Sequence, residues 1–145
     1  MTFTLAELED AIRAAWSEDT ADADNNWTPE NPSCGQCDVT TLVVHDLLGG
    51  EVLSADVYLE GIRVEAHMWN RLTSGIEVDL TREQFRLDQV VGEPTVRTRP
   101  PGFDPTHPRY HRYEKYLVLS ERVRTILGLS GSDAARFPSA ARLEQ

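Results

Sequence analysis

The chain is poor in cysteine: it has only two in 145 residues, both in the tetrapeptide Cys34-Gly35-Gln36-Cys37. A disulfide scaffold of this size needs many more, so a disulfide-rich secreted fold is excluded. No apolar run approaches the ~20 residues of a membrane-spanning helix. Residues 1–8 also lack the pattern of a signal peptide. We therefore expect a cytoplasmic protein that has no membrane partner.

Basic side chains are also scarce, since 14 lysines and arginines stand against 24 aspartates and glutamates, giving a formal net charge of −10. Binding to duplex phosphates needs a basic face, so we expect no nucleic-acid partner. The net charge is unevenly distributed along the chain. Residues 1–32 and residues 33–96 each carry a formal net charge of −7, whereas residues 97–145 carry +4. Three explanations are open for this arginine-rich last third: a coding bias towards arginine, packing over the acidic front, or binding of an anionic ligand, and the sequence does not decide among them.

Three segments have the pattern of helices. Thr4 and Glu7 form a capping box ahead of an amphipathic run that predicts the first helix. The second is predicted over residues 35–48, and its apolar residues leave so little polar surface that we expect burial on most sides. The third is predicted over residues 110–127. Both cysteines therefore lie in or just before the first turn of the second helix.

Between the second and third helices the pattern is that of a strand meander. Strands are predicted over residues 51–59, 62–71 and 76–80, separated by turns that contain glycine. The rest of this region is predicted as a short helix at residues 81–85 and a long proline-rich covering loop at 90–112, with one strand near 95–98.

These elements predict an α+β fold in one domain over residues 1–128, followed by a flexible tail over residues 129–145. In this fold the cysteine-bearing helix is buried against a small antiparallel sheet. Helices at the N- and C-terminal ends flank that core.

The register of the second hairpin brings a histidine to an aspartate. With the turn centred on Thr73, opposite residues have numbers that sum to 146. One sheet face is then mostly apolar, and on the other His67 lies opposite Asp79. Directly opposed side chains are close enough to form a hydrogen bond. The predicted pairs are Ala66–Leu80, Met68–Val78 and Asn70–Ile76 on the first face, and Glu65–Thr81, His67–Asp79 and Trp69–Glu77 on the second.

If the second helix packs on the face of His67, then Cys37, His67 and Asp79 converge. A helix N-terminus and a nearby imidazolium both favour the thiolate. His67 would accept and return a proton, and Asp79 would hold its tautomer. Main-chain N–H groups near Gln36 and Cys37, together with the Gln36 side chain, are candidates to stabilise an oxyanion.

Two other uses of these residues remain open. Cys34 and Cys37 have the spacing of a redox dithiol, although no strand–helix–strand unit precedes them. Cys34, Cys37, His45 and His67 offer four zinc ligands, but the second half of a zinc motif is missing. The leading interpretation therefore includes no metal and no cofactor.

The block from Trp27 to Cys37, the segment His67-Met68-Trp69-Asn70-Arg71 and the segment Glu77-Val78-Asp79-Leu80-Thr81 resemble the YunG-like family of small bacterial proteins. The layout of that family is similar to a minimal papain-like or transglutaminase-like core. This resemblance implies that Cys37, His67 and Asp79 form a catalytic triad with Gln36 as an oxyanion contributor. One departure is that Gln36 directly precedes Cys37, whereas the papain-like glutamine lies several residues earlier.

The sequence thus predicts a cysteine-dependent acyl-transfer enzyme in which Cys37, His67 and Asp79 act on an amide or thioester of a small-molecule or peptide substrate. Trp27 and Trp69 are expected either to wall the substrate cleft or to lie in the core. The alternatives are a ligand- or protein-binding module of the same fold that performs no chemistry, and a thiol–disulfide oxidoreductase.

Overall fold

The computed structural model describes residues 2–23, 26–99, 106–108 and 110–129. Within these ranges the chain folds into three α-helices and a small antiparallel sheet, so the predicted α+β class is confirmed. Residues 130–145 of the expected tail lie outside the described residues. The helices are α1 (Leu5–Ala15), α2 (Cys37–Leu48) and α3 (Tyr110–Leu127). The strands are β1 (Glu51–Leu59), β2 (Ile62–Arg71), β3 (Glu77–Val78), β4 (Gln89–Val91) and β5 (Thr95–Arg97), with short 3₁₀ helices at Glu18–Thr20 and Arg82–Gln84.

The predicted capping box at the start of α1 is confirmed. The Glu7 N–H donates to Thr4 Oγ1 at 3.0 Å, and the Thr4 N–H donates to Glu7 Oε1 at 3.0 Å. These bonds satisfy main-chain donors that no helical carbonyl can reach. The apolar residues of α1 then repeat at helical spacing, and Leu8 and Ile12 are fully buried.

The three helices pack on one another around a single apolar cluster. The cluster contains buried side chains from α1, α2 and α3. Through it, the first and last helices of the described chain pack together with the central helix α2. Its largest fully buried members are Leu8, Ile12, Val39, Val43, Val44, Leu119 and Val123.

The sheet has the strand order β3-β2-β1-β4, and β5 pairs with β1 as well. β4 pairs with residues 57–59 and β5 pairs with residues 52–54 of the same strand. The prediction of a covering loop over residues 90–112 is therefore wrong where β4 occupies residues 89–91. A three-residue strand that pairs with a distant partner leaves almost no periodic pattern of its own. Residues 100–105 and 109 of that loop lie outside the described residues.

The predicted register of the second hairpin is wrong by two positions. Asn70 pairs with Val78 and Arg71 pairs with Glu77. Gly75 has a φ of 91°, and its N–H donates to Leu72 O at 2.8 Å. This is the left-handed bulge residue of a three-residue hairpin loop, which moves the centre of the turn along the chain. A two-residue shift preserves the faces, so the odd-numbered residues of β2 and β3 still share one side.

Helix α2 packs against the face of β2 that carries Asn70, because Asn70 Nδ2 donates to Thr41 O of α2 at 3.0 Å. The other face holds a second, smaller apolar cluster of Leu53, Ala55 and Trp69. Side chains alternate along a strand, so Met68 points to the same side of β2 as Asn70, towards α2. His67 points to the same side as Trp69, towards the second cluster.

Candidate functional site

Cys37 is the first residue of α2 and lies half-buried at the wall of an open cleft of about 480 Å³. The preceding loop ends with Gln36 as the N-cap residue, so the thiol is held at the N-terminus of a twelve-residue helix. The remaining wall comes from the loop before α2, from β1 and β2, and from the 3₁₀ helix after β3. Among the lining residues are Asp22, Asp38, Ser54, Glu65, Met68 and Gln84.

The thiol of Cys37 is protonated at neutral pH. Burial raises its pKa to about 12, and the negative charge of Asp38 adds to that rise. The main-chain N–H of Met68 opposes the rise, but it does not compensate for the lost hydration. A thiol in this state needs a base to take its proton before it can attack a substrate.

His67 and Asp79 form a buried pair. His67 Nε2 lies 2.8 Å from Asp79 Oδ2, and the His67 side chain has no exposed surface. The ring stacks on Trp69 with centroids 5.4 Å apart and meets Phe85 edge-on at 4.7 Å. His67 Nδ1 is also buried, and it has no hydrogen-bond partner among the described residues. Among the described residues, one ring nitrogen of His67 is thus held by a carboxylate and the other has no hydrogen-bond partner.

The structure does not join Cys37 to His67 by a hydrogen bond within the part of the chain that it describes. Met68 lines the cleft beside Cys37, whereas His67 precedes Met68 and projects to the other face of β2. β3 pairs only with Asn70 and Arg71, so no described strand covers the outer edge of β2 at His67. The thiol lies at this same edge, close to the Met68 N–H.

Gln36 does not reach the cleft with its side chain. The amide is fully buried, where Oε1 accepts from Thr20 Oγ1 at 2.8 Å and Nε2 donates to Ser17 O at 3.0 Å. The glutamine that does line the cleft is Gln84, in the 3₁₀ helix after β3. Its Oε1 accepts from the Gly35 N–H at 3.3 Å, and its Nε2 is buried with no acceptor among the described residues. Sequence reasoning missed Gln84 because nothing in its local pattern indicates a contact 49 residues away.

The two tryptophans that were expected to wall the cleft or to lie in the core do not line this cleft. Trp27 Nε1 donates to Pro32 O at 2.9 Å and so ties together the loop before α2. Trp69 is buried, and its Nε1 donates to Glu77 Oε1 at 2.7 Å across the hairpin. Trp69 instead supports the ring of His67.

The second cysteine is also a free thiol. Burial, followed by the charge of Glu65, raises the pKa of Cys34. The zinc ligand set does not assemble, since the described residues hold no group of three or more histidine, cysteine or acidic side chains placed to bind a metal ion. His45 Nδ1 instead lies 3.0 Å from Arg99 Nη1.

Two arginines of the basic last third form ion pairs with carboxylates of the acidic front. Arg112 of α3 is buried and holds Asp38 through Nε at 2.7 Å and Nη2 at 2.5 Å. It also donates to Gly35 O at 3.2 Å. Arg122 pairs with Asp19 at 2.6 Å in the same way at the surface. Arg112 therefore fixes the start of α2, where Cys37 lies.

Comparison with known proteins places the chain. A model of the YunG protein family matches residues 4–128. The chain belongs to the YunG family. A relative from Bacillus subtilis (strain 168), described as "Uncharacterized protein YunG", is 36% identical over 77 residues. The match covers 52% of this YunG-family chain and 57% of the relative, so it spans little more than half of the relative's length. No solved structure matches the chain. In the described part of this YunG-family protein, no helix has the length and apolarity needed to cross a membrane.

Proposed function

We propose that the chain is a cysteine-dependent acyl-transfer enzyme that uses Cys37, His67 and Asp79 on an amide or thioester. The observation that supports this proposal is the state of His67, whose Nε2 is held by Asp79 while Nδ1 is buried without a described partner. Leaving a buried polar atom unpaired costs about 1–3 kcal/mol. A retained cost of this kind points to a chemical role, and an imidazole oriented by a carboxylate is suited to act as a base.

The mechanism assigns one role to each group. Cys37 Sγ attacks the carbonyl carbon while its proton passes to His67 Nδ1, and Asp79 stabilises the imidazolium that forms. The oxyanion is stabilised by the main-chain N–H of Cys37 and by Nε2 of Gln84, the buried donor in the cleft wall. Collapse breaks the bond to the leaving amine or thiol, which takes the proton from His67, and a thioester remains on Cys37.

The second half of the reaction regenerates the thiol. Water or an acceptor nucleophile attacks the thioester carbonyl and gives its proton to His67 Nδ1. When the tetrahedral intermediate collapses, the acid or transferred acyl product leaves. The proton on His67 returns to Cys37 Sγ, so no oxidant, metal or cofactor is needed.

The raised pKa of Cys37 determines how the thiol is activated in this mechanism. Because the thiol is neutral at neutral pH, the enzyme would work by general-base attack rather than from a preformed thiolate–imidazolium pair. For proton transfer, Sγ and Nδ1 must come within hydrogen-bond reach around the edge of β2 that β3 leaves uncovered. Such contacts are often long in ligand-free sites and tighten when substrate binds.

The order of elements supports a papain-like or transglutaminase-like arrangement. The proposed nucleophile begins a helix, the proposed base lies on a strand of the sheet, and the acid directly follows the neighbouring strand. In this chain the oxyanion glutamine would follow the acid along the sequence instead of preceding the nucleophile.

A second candidate function is a module that binds a ligand in the cleft without chemistry. It is favoured by the pKa of Cys37, about 12, and by the missing hydrogen bond between Cys37 and His67. In that case the pair of His67 and Asp79 is a structural support of the sheet.

The rate of iodoacetamide alkylation of Cys37, measured against pH, separates the two functions. The measurement is made in a Cys34→Ser variant, so that Cys37 is the only cysteine that can be alkylated. If His67 is the base, His67→Ala slows alkylation at neutral pH by about 10-fold or more. His111→Ala, which removes an exposed histidine, is the matched control and is expected to leave the profile unchanged. Identical profiles for the Cys34→Ser parent and His67→Ala would overturn the enzyme proposal and favour the binding module. Asp79→Asn gives an independent check should His67→Ala fold poorly.

A further inference from the structure

Strand β2 has an open edge beside Cys37. β3 pairs only with Asn70 and Arg71, so in the part of the chain that the structure describes no strand pairs with residues 62–69 on that side. The opposite side of β2 pairs with β1. An open strand edge presents main-chain N–H and C=O groups, and another extended chain can pair with them.

Ala66 carries the free main-chain groups of this edge that lie next to the thiol. Successive residues of a strand direct these groups alternately to its two neighbours. Asn70 directs its groups towards β3, and the N–H of Met68 is bonded to the thiol of Cys37. The N–H and C=O of Ala66, two positions from Met68, therefore point to the same open side of β2.

The partner of Ala66 on β1 leaves these two groups free. Asp56 lies opposite Ala66, but its C=O accepts from the Gly92 N–H at 2.8 Å, on the side of β1 away from β2. Ala66 therefore belongs to a pair that exchanges no main-chain hydrogen bond. No other described residue bonds to its N–H or C=O. One donor and one acceptor thus remain open to another chain.

The cleft of about 480 Å³ lies along this open edge. Val64, Ala66 and Met68 line it from β2, and Cys37 and Gln84 are among the residues of its other walls. Ala66 is an exposed residue, so a ligand can reach it. A ligand in the cleft therefore lies beside the thiol and beside the open edge at the same time.

The form of the edge favours a short peptide over the sheet of a second copy of this chain. Glu65 pairs with Val57 and Arg63 pairs with Tyr58, so Val64 is an extra residue in β2. A bulge of this kind bends its strand and ends regular pairing, and bulges often lie next to active sites. The regular open edge therefore extends only from the bulge to the thiol, and the cleft encloses it. A cleft of this size holds a few residues of a single chain.

We propose that the substrate is a peptide that binds in an extended conformation and pairs its main chain with Ala66. One substrate residue donates its N–H to Ala66 O and accepts from the Ala66 N–H, which brings a neighbouring peptide carbonyl to Cys37 Sγ. Affinity from such main-chain pairing depends little on side chains. The proposal rests on the proposed acyl-transfer function for its chemistry. Sγ bonds to the carbonyl carbon, the peptide C–N bond breaks, and the amine leaves with the proton from His67.

Thiol-reactive peptides test the pairing without knowledge of the natural substrate. The probe is acetyl-trialanine chloromethyl ketone, and chloroacetone is the matched reagent that carries the same reactive group without a peptide. Each alkylates Cys37 in the Cys34→Ser variant. The measured quantity is the ratio of the two rates, relative to the same ratio for a free cysteine peptide. Because one thiolate reacts with both reagents, the pKa of Cys37 cancels from the ratio.

We expect the ratio to favour the peptide, and Ala66→Pro to lower it by about threefold or more because proline has no N–H. Proline is tolerated in a strand where the missing N–H would face an open edge, so the pairing with β1 is kept. Ala66→Ser keeps the N–H at nearly the same side-chain size and should retain the preference. Should Ala66→Pro fold poorly, N-methylated peptides give the second measurement. Methylation of the nitrogen that donates to Ala66 O should lower the ratio on the Cys34→Ser protein by a similar factor.

Equal ratios for Ala66→Pro and Ala66→Ser, or no preference for the peptide in the Cys34→Ser protein, overturn the proposal. A preference that disappears as the protein concentration rises also overturns it, because a second copy then occupies the edge. The outcome is separable from that of the proposed function, since His67→Ala changes an absolute rate whereas Ala66→Pro changes a ratio of rates. A protein that fails the first test and passes the second binds peptides at this edge without chemistry.

Discussion

Asp79 is hydrogen-bonded to His67 although the sheet register does not pair them. Val78, the last residue of β3, pairs with Asn70, so the next position along the hairpin would lie opposite Trp69. The 2.8 Å contact between His67 Nε2 and Asp79 Oδ2 is therefore diagonal. Diagonal neighbours on one sheet face lie about 7–8 Å apart, which an imidazole and a carboxylate can span. The pair thus depends on side-chain length as well as on the turn.

Removing the carboxylate from this pair should destabilise the fold. Asp79→Ala leaves a fully buried histidine with no hydrogen-bond partner among the described residues, and we expect a loss of about 1–3 kcal/mol in the free energy of unfolding. Urea unfolding measures it, and a double-mutant cycle with His67→Ala should give a coupling near 1 kcal/mol. Asp88→Ala removes an exposed partner of Arg86 and should cost less than about 1 kcal/mol. Equal losses for the two variants would contradict a structural contribution from the pair.

The ion pair between Arg112 and Asp38 should contribute far more to stability than the surface pair on the same helix. The Arg112 side chain is 3% exposed, whereas that of Arg122 is 37% exposed. Arg112→Met removes the buried guanidinium that pairs with Asp38 at the start of α2, and we expect a loss of about 3–5 kcal/mol. Arg122→Met should cost less than about 1 kcal/mol. Thermal and urea unfolding of both variants make the comparison, which fails if Arg122→Met is the more damaging change.

The partly buried carboxylate of Glu65 should lower stability at neutral pH. Its pKa is raised in the folded state, so between the unfolded and folded values the folded protein binds more protons. Stability from this group therefore rises as the pH falls through the folded pKa, and the charge is costly above it. Glu65→Gln should be more stable than the parent protein at pH 7, with the difference fading towards pH 4. Urea unfolding at both values measures this, with Glu93→Gln as control. A loss of stability at pH 7 would show that the carboxylate has a partner.

The two cysteines should remain reduced in a glutathione buffer of cytosolic potential. Burial raises the pKa of both Cys34 and Cys37, the reverse of the lowered pKa found in reactive dithiol sites. Thiol titration after equilibration at about −220 to −260 mV should recover two thiols per chain. Cys34→Ser, which cannot form the internal disulfide, supplies the reference for one. Recovery of no free thiol would revive the oxidoreductase interpretation.

Sequence patterns correctly predicted those elements whose formation depends on residues close together in the sequence. The capping bonds between Thr4 and Glu7 and the long strands β1 and β2 depend on neighbours in sequence, and all are found where they were expected. The contact between His67 and Asp79 was reached through a wrong register, because the face pattern repeats every second residue. The sequence predicted a glycine-containing turn here, but the turn was centred on Thr73, so the bulge at Gly75 that moves the hairpin was missed.

Contacts between residues far apart in the sequence could not be predicted from local sequence patterns. Arg112 meets Asp38 from 74 residues away, and Gln84 meets Gly35 from 49 residues away. Net charge indicated that a basic segment could cover an acidic one, but it could not name the partners. The place of Cys37 relative to His67 depends on which face of β2 receives α2, and the apolar pattern of a mostly buried helix leaves that choice open.

The bulge at Gly75 has a consequence for how relatives of this chain are compared. Gly75 adopts a left-handed φ in open space, so the loop is defined by backbone conformation and length rather than by packing. Deleting one residue between Leu72 and Ile76 would exchange the faces of the strand that follows and turn Asp79 away from His67. Every motif residue would still be present in an alignment of such a relative. The number of residues in this turn is therefore a better diagnostic of an intact site than the motifs themselves.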